Sequence, residues 1–431
     1  MRKVLLLLVL ILGMTMILGA GGNKEAEEGP VTLVFWTHED PNRTEIENRY
    51  IEEFQAENPD ITIQRVTNSS SKIIELVLTA FAANQGPDIF NLSIEDEYAY
   101  IANRRVAPVD PKAAGYGSLK ELEAAYLPGV LDPVKVDGKI YGLPLELTNW
   151  CIYVNKNVFR DAGLDPERDY PKTWEEMADV SEKLVLRDGD IITRRGFDFR
   201  YPYYLVGMVP MVEQLGGKLI SDDGKTAIVG EDAWIAFLDY MKDWGPNGRN
   251  LGSPTYKNAR SLFNHNNNDV AMAHTGLYQQ GRIKSDNPDF YNSGNWMVVP
   301  YPRFENAVED VAAAYYGHYY MVNGQSSARK QQAAWKFISY MLSHGEEYLQ
   351  KVNIIQPTKA LMESDTFKNM PYSDVFMQDM ERGHIVYYGE NSAKIQELIK
   401  QAVESVMLSG VSSEKAYATL KAEVQELLDE E

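Results

Sequence analysis

The stretch DGKIYGLPLELTNWCIYVNKNVF, running from Asp137 to Phe159, decides how the rest of the chain is read. Its apolar, strand-like run is broken by Gly142 and Pro144, and a lone carboxylate, Glu146, follows before Trp150. A strand wholly inside a core has little use for a charge, two turn-formers and a Trp at that spacing. The explanation has to lie on either side of it.

Upstream, VTLVFW from Val31 to Trp36 is a continuous β-prone run, suited to a strand buried on both faces of a parallel sheet. Glu45 to Asn58 sets Ile46, Tyr50, Ile51 and Phe54 at helical spacing, and NPD ends it before a second strand, ITIQRV. A second helix is predicted over Lys72 to Asn84, with Ile73, Ile74, Val77, Leu78 and Phe81 on one face, and a third strand begins at GPDIFNL. This alternation predicts an α/β layered sheet. Downstream, PKTWEEMADVSEKL opens with Thr173 and carries Glu176 three residues on, the capping-box signature of a helix start. SDDGKTAIV reads as a turn into a short strand, while EDAWIAFLDYMKDW and SSARKQQAAWKFISYMLS read as amphipathic helices. The C-terminal end is helical in composition, and no internal period suggests a solenoid.

The whole chain sets the bounds. Its 431 residues exceed the size at which one core stops growing, about 250 to 300 residues, so two domains are expected. Composition is that of a soluble globular protein, and the net charge of −20 disfavours nucleic acid and anionic lipid as partners. The N-terminus reads as a secretory signal over residues 1–20 followed by a linker over 21–30, with an uncleaved membrane anchor as the alternative for the run Val4 to Ala20. Leu18-Gly19-Ala20-Gly21-Gly22 resembles a bacterial lipoprotein signal whose acylated cysteine has been replaced. Cys151 is the only cysteine, which rules out an internal disulfide and any Cys-Cys zinc or redox motif.

The order of segments is then informative. VTLVFWTH, FQAENPDITIQ, AFAANQGPDIFNL, VAPVD, the opening stretch through RDAGLD, PKTWEEM, FNHNNNDVAMAHTGLY, WMVVPYP and ARKQQAAWKFISYML run from about Val31 to about Pro357. Together they resemble the family 1 extracellular solute-binding proteins, the maltose-binding-protein-like, sugar-type receptors of ATP-binding-cassette importers. The resemblance implies an α/β, two-lobed periplasmic-binding-protein fold (type II, Venus-flytrap) with a hinge crossed several times, closing on a solute. It implies a first lobe of residues 31–144 plus about 301–350 and a second of 145–300 plus about 351–431. Gly142 and Pro144 would then punctuate the hinge, and Glu146 to Trp150 would lead into the second lobe with the carboxylate facing the cleft.

Candidate ligand-binding residues follow, each beside its plainer reading. Trp36 ends the first strand, where ligands of open α/β sheets bind; it is either a stacking face for a sugar or a core aromatic, and His38 shares that choice. Asn91 and Ser93 emerge at another strand mouth, able to fix hydroxyls or to cap a helix, with the cap favoured for Ser93. Glu95 and Asp96 are read as a solvated first helical turn rather than hydroxyl acceptors. By the resemblance, AMAHTGLYQQ places Tyr278 where the family usually has Trp, with His274 and Thr275 just before it, and AAAYYGHYYMV makes Tyr316, Gly317 and His318 cleft candidates against ordinary strand aromatics.

Adjacent tyrosines at 203–204, 315–316, 319–320 and 387–388 raise a ferric-ion receptor as an alternative, although paired strand tyrosines usually point to opposite faces. A glycosidase needs two carboxylates at a defined separation, and Glu146 with Asp96 is such a pair on paper. However, no nucleophile elbow, HExxH, Walker loop or Rossmann fingerprint is present, and the six His lack metal-ligand spacing. The expectation is a non-enzymatic, monomeric, extracytoplasmic protein with no cofactor and no metal site, which binds a carbohydrate and delivers it to an ABC permease. Polyamine, glycerol-phosphate-type and ferric-iron receptors, and a carbohydrate-active enzyme, are the alternatives.

Overall fold

The structure, a computed structural model, describes residues 29–189, 191–199, 205–252, 263, 268–386, 389 and 391–430. The expected signal segment, most of the linker and the tyrosine pairs at 203–204 and 387–388 lie outside the described residues. In chain order the strands are β1 (Val31–His38), β2 (Ile61–Asn68), β3 (Ile89–Ser93), β4 (Lys135–Val136), β5 (Lys139–Ile140), β6 (Leu143–Thr148), β7 (Trp150–Asn155), β8 (Leu186–Asp188), β9 (Ile191–Asp198), β10 (Lys218–Ile220), β11 (Ala227–Val229), β12 (Val270–Gly276), β13 (Trp296–Val299) and β14 (Tyr316–Val322). They form two five-stranded sheets, ordered β2-β1-β3-β14-β6 and β13-β7-β12-β9-β8, and two small hairpins.

In the first sheet β1 runs parallel to β2 and β3, while β14 pairs antiparallel with β3 and β6. The connections from β1 to β2 and from β2 to β3 are the helices Pro41–Glu57 and Ser70–Ala82, as expected of crossovers between parallel strands. The first starts earlier than Glu45 because Asp40 caps it, accepting a 3.1 Å bond from the Arg43 amide, and Pro41 opens its first turn. β1 is buried more on one face than the other. Leu33, Phe35 and Thr37 are buried, while Val34, Trp36 and His38 are half-buried, which corrects the expectation of burial on both faces. On the deeper face Phe35 meets Phe337 of the helix Ala328–Leu342, ring centroids 6.0 Å apart, and that helix is capped by Ser327 as its sequence predicts.

The second sheet is covered on both faces, and β7 shows how a wholly buried strand serves two cores. Trp150, Ile152 and Val154 pack in one cluster with Trp174 and Phe237; Cys151 and Tyr153 pack in the other with Phe290 and Trp296. This is the two-residue alternation of a strand with no solvent face. The capping box forms as predicted, with Thr173 and Glu176 each bonding the other's end of the first turn of Trp174–Leu184.

The opening stretch now has its explanation. Strand β6 is an edge strand, which is where a proline can sit, and all of Leu143–Thr148 is buried. Strand β7 begins at Trp150 in the other sheet, so the chain changes sheets at Asn149. Two further passages join the sheets, one between β13 and β14 and one near residue 355, where Leu147 donates to the Ile355 carbonyl at 2.9 Å. The change-over points therefore fall later than the expected 144 and 301. Strand β6 stays paired with β14 through Thr148, and Tyr301, Phe304 and Ala312 to Ala314 still pack in the second sheet's core.

Candidate functional site

The first sheet brings together residues far apart in sequence at one end of β1, β3, β6 and β14. His38 ends β1; Asn91 and Ser93 lie on β3; Glu146 and His318 face each other in the β6/β14 ladder, and His318 also pairs with Ser93. The Asn91 amide nitrogen lies 2.9 Å from His38 Nδ1. With that amide as donor, the His38 ring proton sits on Nε2. The His38 and His318 rings lie 4.5 Å apart between centroids, and His318 Nδ1 is 2.9 Å from Glu146 Oε1. Burial, reinforced by the neighbouring Arg43 and His318, holds His38 well below the usual imidazole range, so it is neutral at pH 7. Two buried acceptors on this wall, Asn91 Oδ1 and Glu146 Oε2, have no hydrogen-bond partner among the described residues. Each is an acceptor that a ligand hydroxyl can satisfy.

Gly317 is what allows this wall. A Cβ at that position would stand 2.0 Å from the Glu146 carbonyl oxygen, so any side chain would push β14 off β6. Behind the wall lies a buried ionic network. Arg43 donates to Thr37 Oγ1 at 2.7 Å and to the His38 carbonyl at 2.6 Å; its Nε is 3.3 Å from Glu47, which also pairs with Arg65 at 2.8 Å and accepts from Tyr320 at 2.6 Å. The network fixes the end of β1 and hence the His38 ring.

The turn after β3 differs from its sequence reading. Ser93 does not cap a helix; its hydroxyl donates to Asp96 at 2.6 Å, and the following short helix, Tyr98–Ala102, begins after Glu97. Nor is the segment a solvated turn: Glu95 and Glu97 are buried and Asp96 is half-buried. Burial, with Asp96 adding repulsion, pushes the Glu95 carboxyl up to about 7, and burial first and then Glu95 and Asp96 raise Glu97 well above the carboxylate range. The segment SIEDE alone carries no signal for this, because acidic runs are usually on the surface.

The second sheet contributes rings. Trp150, 1% exposed, and His274, 3% exposed, pack edge to face at 5.2 Å, with Tyr301 5.3 Å from His274 on its other side. Both are thus core groups behind the seam rather than open faces. Tyr316 at the start of β14 bridges the two sheets, with Trp150 at 5.3 Å, His318 at 5.6 Å and Tyr278 at 6.5 Å. Tyr278 opens the helix Tyr278–Asp286, and the Arg282 guanidinium lies over its ring at 4.7 Å. Arg282 also contributes to the lowering of His38, so its charge reaches the first-sheet wall. Sequence reading missed Arg282; the available signal was its position four residues after Tyr278, on the same helical face. Trp36 stands half-buried on the shallower face of β1, in register with Phe90.

The described adjacent tyrosines, 315–316 and 319–320, do not converge. Tyr319 donates to the Val130 carbonyl and Tyr320 to Glu47, while Tyr315 donates to the Met380 carbonyl at 2.8 Å. Among the described residues no group of three or more His, Cys, Asp or Glu is placed to hold a metal ion.

Two separately packed sheets, joined by several passages of chain and meeting along a polar and aromatic seam, define a two-lobed solute-binding protein. The chain belongs to the bacterial extracellular solute-binding protein family, whose profile matches residues 40–348. It is 23% identical over 298 residues to a binding protein of Brucella abortus, a match covering 67% of this chain and 66%, just under two thirds, of that relative. The maltotriose-binding protein of Pyrococcus abyssi is 20% identical over 389 residues, covering 89% of this chain and 79% of its own length. Among solved structures, an ABC transporter solute-binding protein of Thermotoga lettingae bound with alpha-D-tagatose superposes with a TM-score of 0.78 at 20% identity, covering 92% of this chain and 99% of that one.

Proposed function

We propose that this protein binds a carbohydrate between its two sheets and presents it to an ABC permease outside the cytoplasmic membrane, without chemistry of its own. The observation that carries the reading is the seam itself: a wall with unsatisfied acceptors on Asn91 and Glu146 is joined through His318 and Tyr316 to the rings of Trp150 and Tyr278. Sugars offer hydroxyl donors and apolar ring faces together, which is the combination such a seam recognises. A relative named as a maltotriose-binding protein supports it. In this reading Trp36, His38, Asn91, Ser93, Glu146, Tyr278, Tyr316 and His318 line the cleft, with Gly317 as the close-packing point and Trp150 and His274 as backing.

The guest touches both lobes only when they are shut, so it favours the shut form by its differential affinity. Among the described residues no helix is long and apolar enough to cross a membrane; the run Val4 to Ala20 lies outside them. A thermal-shift screen of sugars, polyols, polyamines and ferric iron tests the proposal, because a ligand of the folded state raises the melting temperature by mass action. A large shift with sugars alone supports it; a shift with polyamines or iron and none with sugars contradicts it.

A further inference from the structure

Arg282 has no carboxylate partner among the described residues, and its guanidinium lies over the face of Tyr278. In a chain whose acidic residues outnumber basic ones 62 to 42, the buried or partly buried Arg43, Arg65, Arg195, Arg249 and Arg382 each pair with a carboxylate, and Arg282 does not. The side chain is half-buried, so its guanidinium has given up part of its water without gaining a protein anion in return. Stacking on Tyr278 holds the planar fork in one orientation, and such a fork matches the paired oxygens of a carboxylate or phosphate.

The opposite wall asks for something different. Asn91 Oδ1 and Glu146 Oε2 are buried acceptors that want hydrogen-bond donors. Glu146 Oε1 is engaged by His318, and Asp96 by Ser93, so the acids of the first sheet are held on its own side of the seam. A ligand that satisfies both walls therefore carries hydroxyl groups along one edge and an anionic group at the other.

Resting on the carbohydrate reading above, we propose that Arg282 is a specificity-determining residue and that the cargo is an acidic carbohydrate, a sugar bearing a carboxylate or a phosphate. The overall negative charge of the chain slows the approach of such a ligand, so Arg282 acts by retaining it in the cleft rather than by attracting it from afar.

Calorimetric titration of the purified full chain with matched pairs tests this: galacturonate against galactose, digalacturonate against its neutral disaccharide counterpart, and glucose 6-phosphate against glucose. In at least one pair the acid should bind roughly 10- to 100-fold more tightly than its neutral parent, the range expected for a charge-assisted contact. The pair that shows it separates carboxylate from phosphate. Arg282→Gln should bring that ratio close to one, and Arg282→Lys should keep part of it; both substitutions fall on a partly exposed helical position, and unchanged melting curves confirm folding. A neutral sugar that binds as tightly as its acid, or a ratio unaffected by Arg282→Gln, overturns the inference and leaves the carbohydrate reading standing. Failure of every sugar, neutral or acidic, overturns both.

Discussion

On the first-sheet side of the seam the polar groups are tied to one another: Asn91 to His38, His318 to Glu146, Ser93 to Asp96, and Arg43 behind them to Glu47. On the second-sheet side Trp150 packs on His274, and Tyr278 carries Arg282 on its face. The difference is one of direction. Hydrogen bonds are geometric and set which hydroxyls fit, whereas ring faces give contact area that tolerates several poses. The first lobe thus sets hydroxyl directions, the second supplies ring area and the oriented charge of Arg282, and a closing motion brings the two together.

The contrast is most easily broken at its support. Glu47→Gln should destabilise the protein by roughly 3–5 kcal/mol, because Arg43 and Arg65 would be left buried beside a neutral amide. Denaturant unfolding measures this, and a loss below about 1 kcal/mol would show that the network does not hold the first wall. The next effect is on binding. Tyr278→Ala and Trp36→Ala should each weaken affinity for the cargo by about 1–3 kcal/mol in calorimetry. If neither changes it, ring stacking is not how the cleft grips.

A pH experiment sharpens the comparison from the other side. Glu95 is raised in the folded protein from 4.5 to about 7, so its share of stability is complete below pH 4.5 and is lost as pH rises through 7. Glu95→Gln should therefore match the wild type at pH 4.5 and exceed it by about 1–3 kcal/mol at pH 8. An advantage that is constant across that range would mean the carboxyl is not what titrates. The smallest effect is a control in the second lobe. Thr173→Ala removes the capping box and should cost about 1 kcal/mol of stability with no change in affinity, since the helix Trp174–Leu184 lies in the second core, away from the seam.

Much of this architecture was legible in the sequence because it is local. The strand β1, the crossover helices, the capping box at Thr173 and the helix after Ser327 each follow from spacing and caps within a few residues. What escaped depends on pairings across the chain. His318 and Glu146 meet only because β14 returns to pair with β6, and the same pairing carries β6 on to Thr148 and moves the sheet change to Asn149. The burial of Glu97, the withdrawal of Trp150 and His274 into the core, and the lack of a carboxylate partner for Arg282 among the described residues likewise depend on which neighbours arrive from elsewhere in the chain.

The central claim, a guest clamped between two lobes, is tested most directly by small-angle X-ray scattering of the full chain with and without a saturating sugar taken from the thermal-shift screen. The account predicts a smaller radius of gyration and a shorter maximum dimension in the bound form. Identical profiles for the free and the sugar-saturated protein would contradict it.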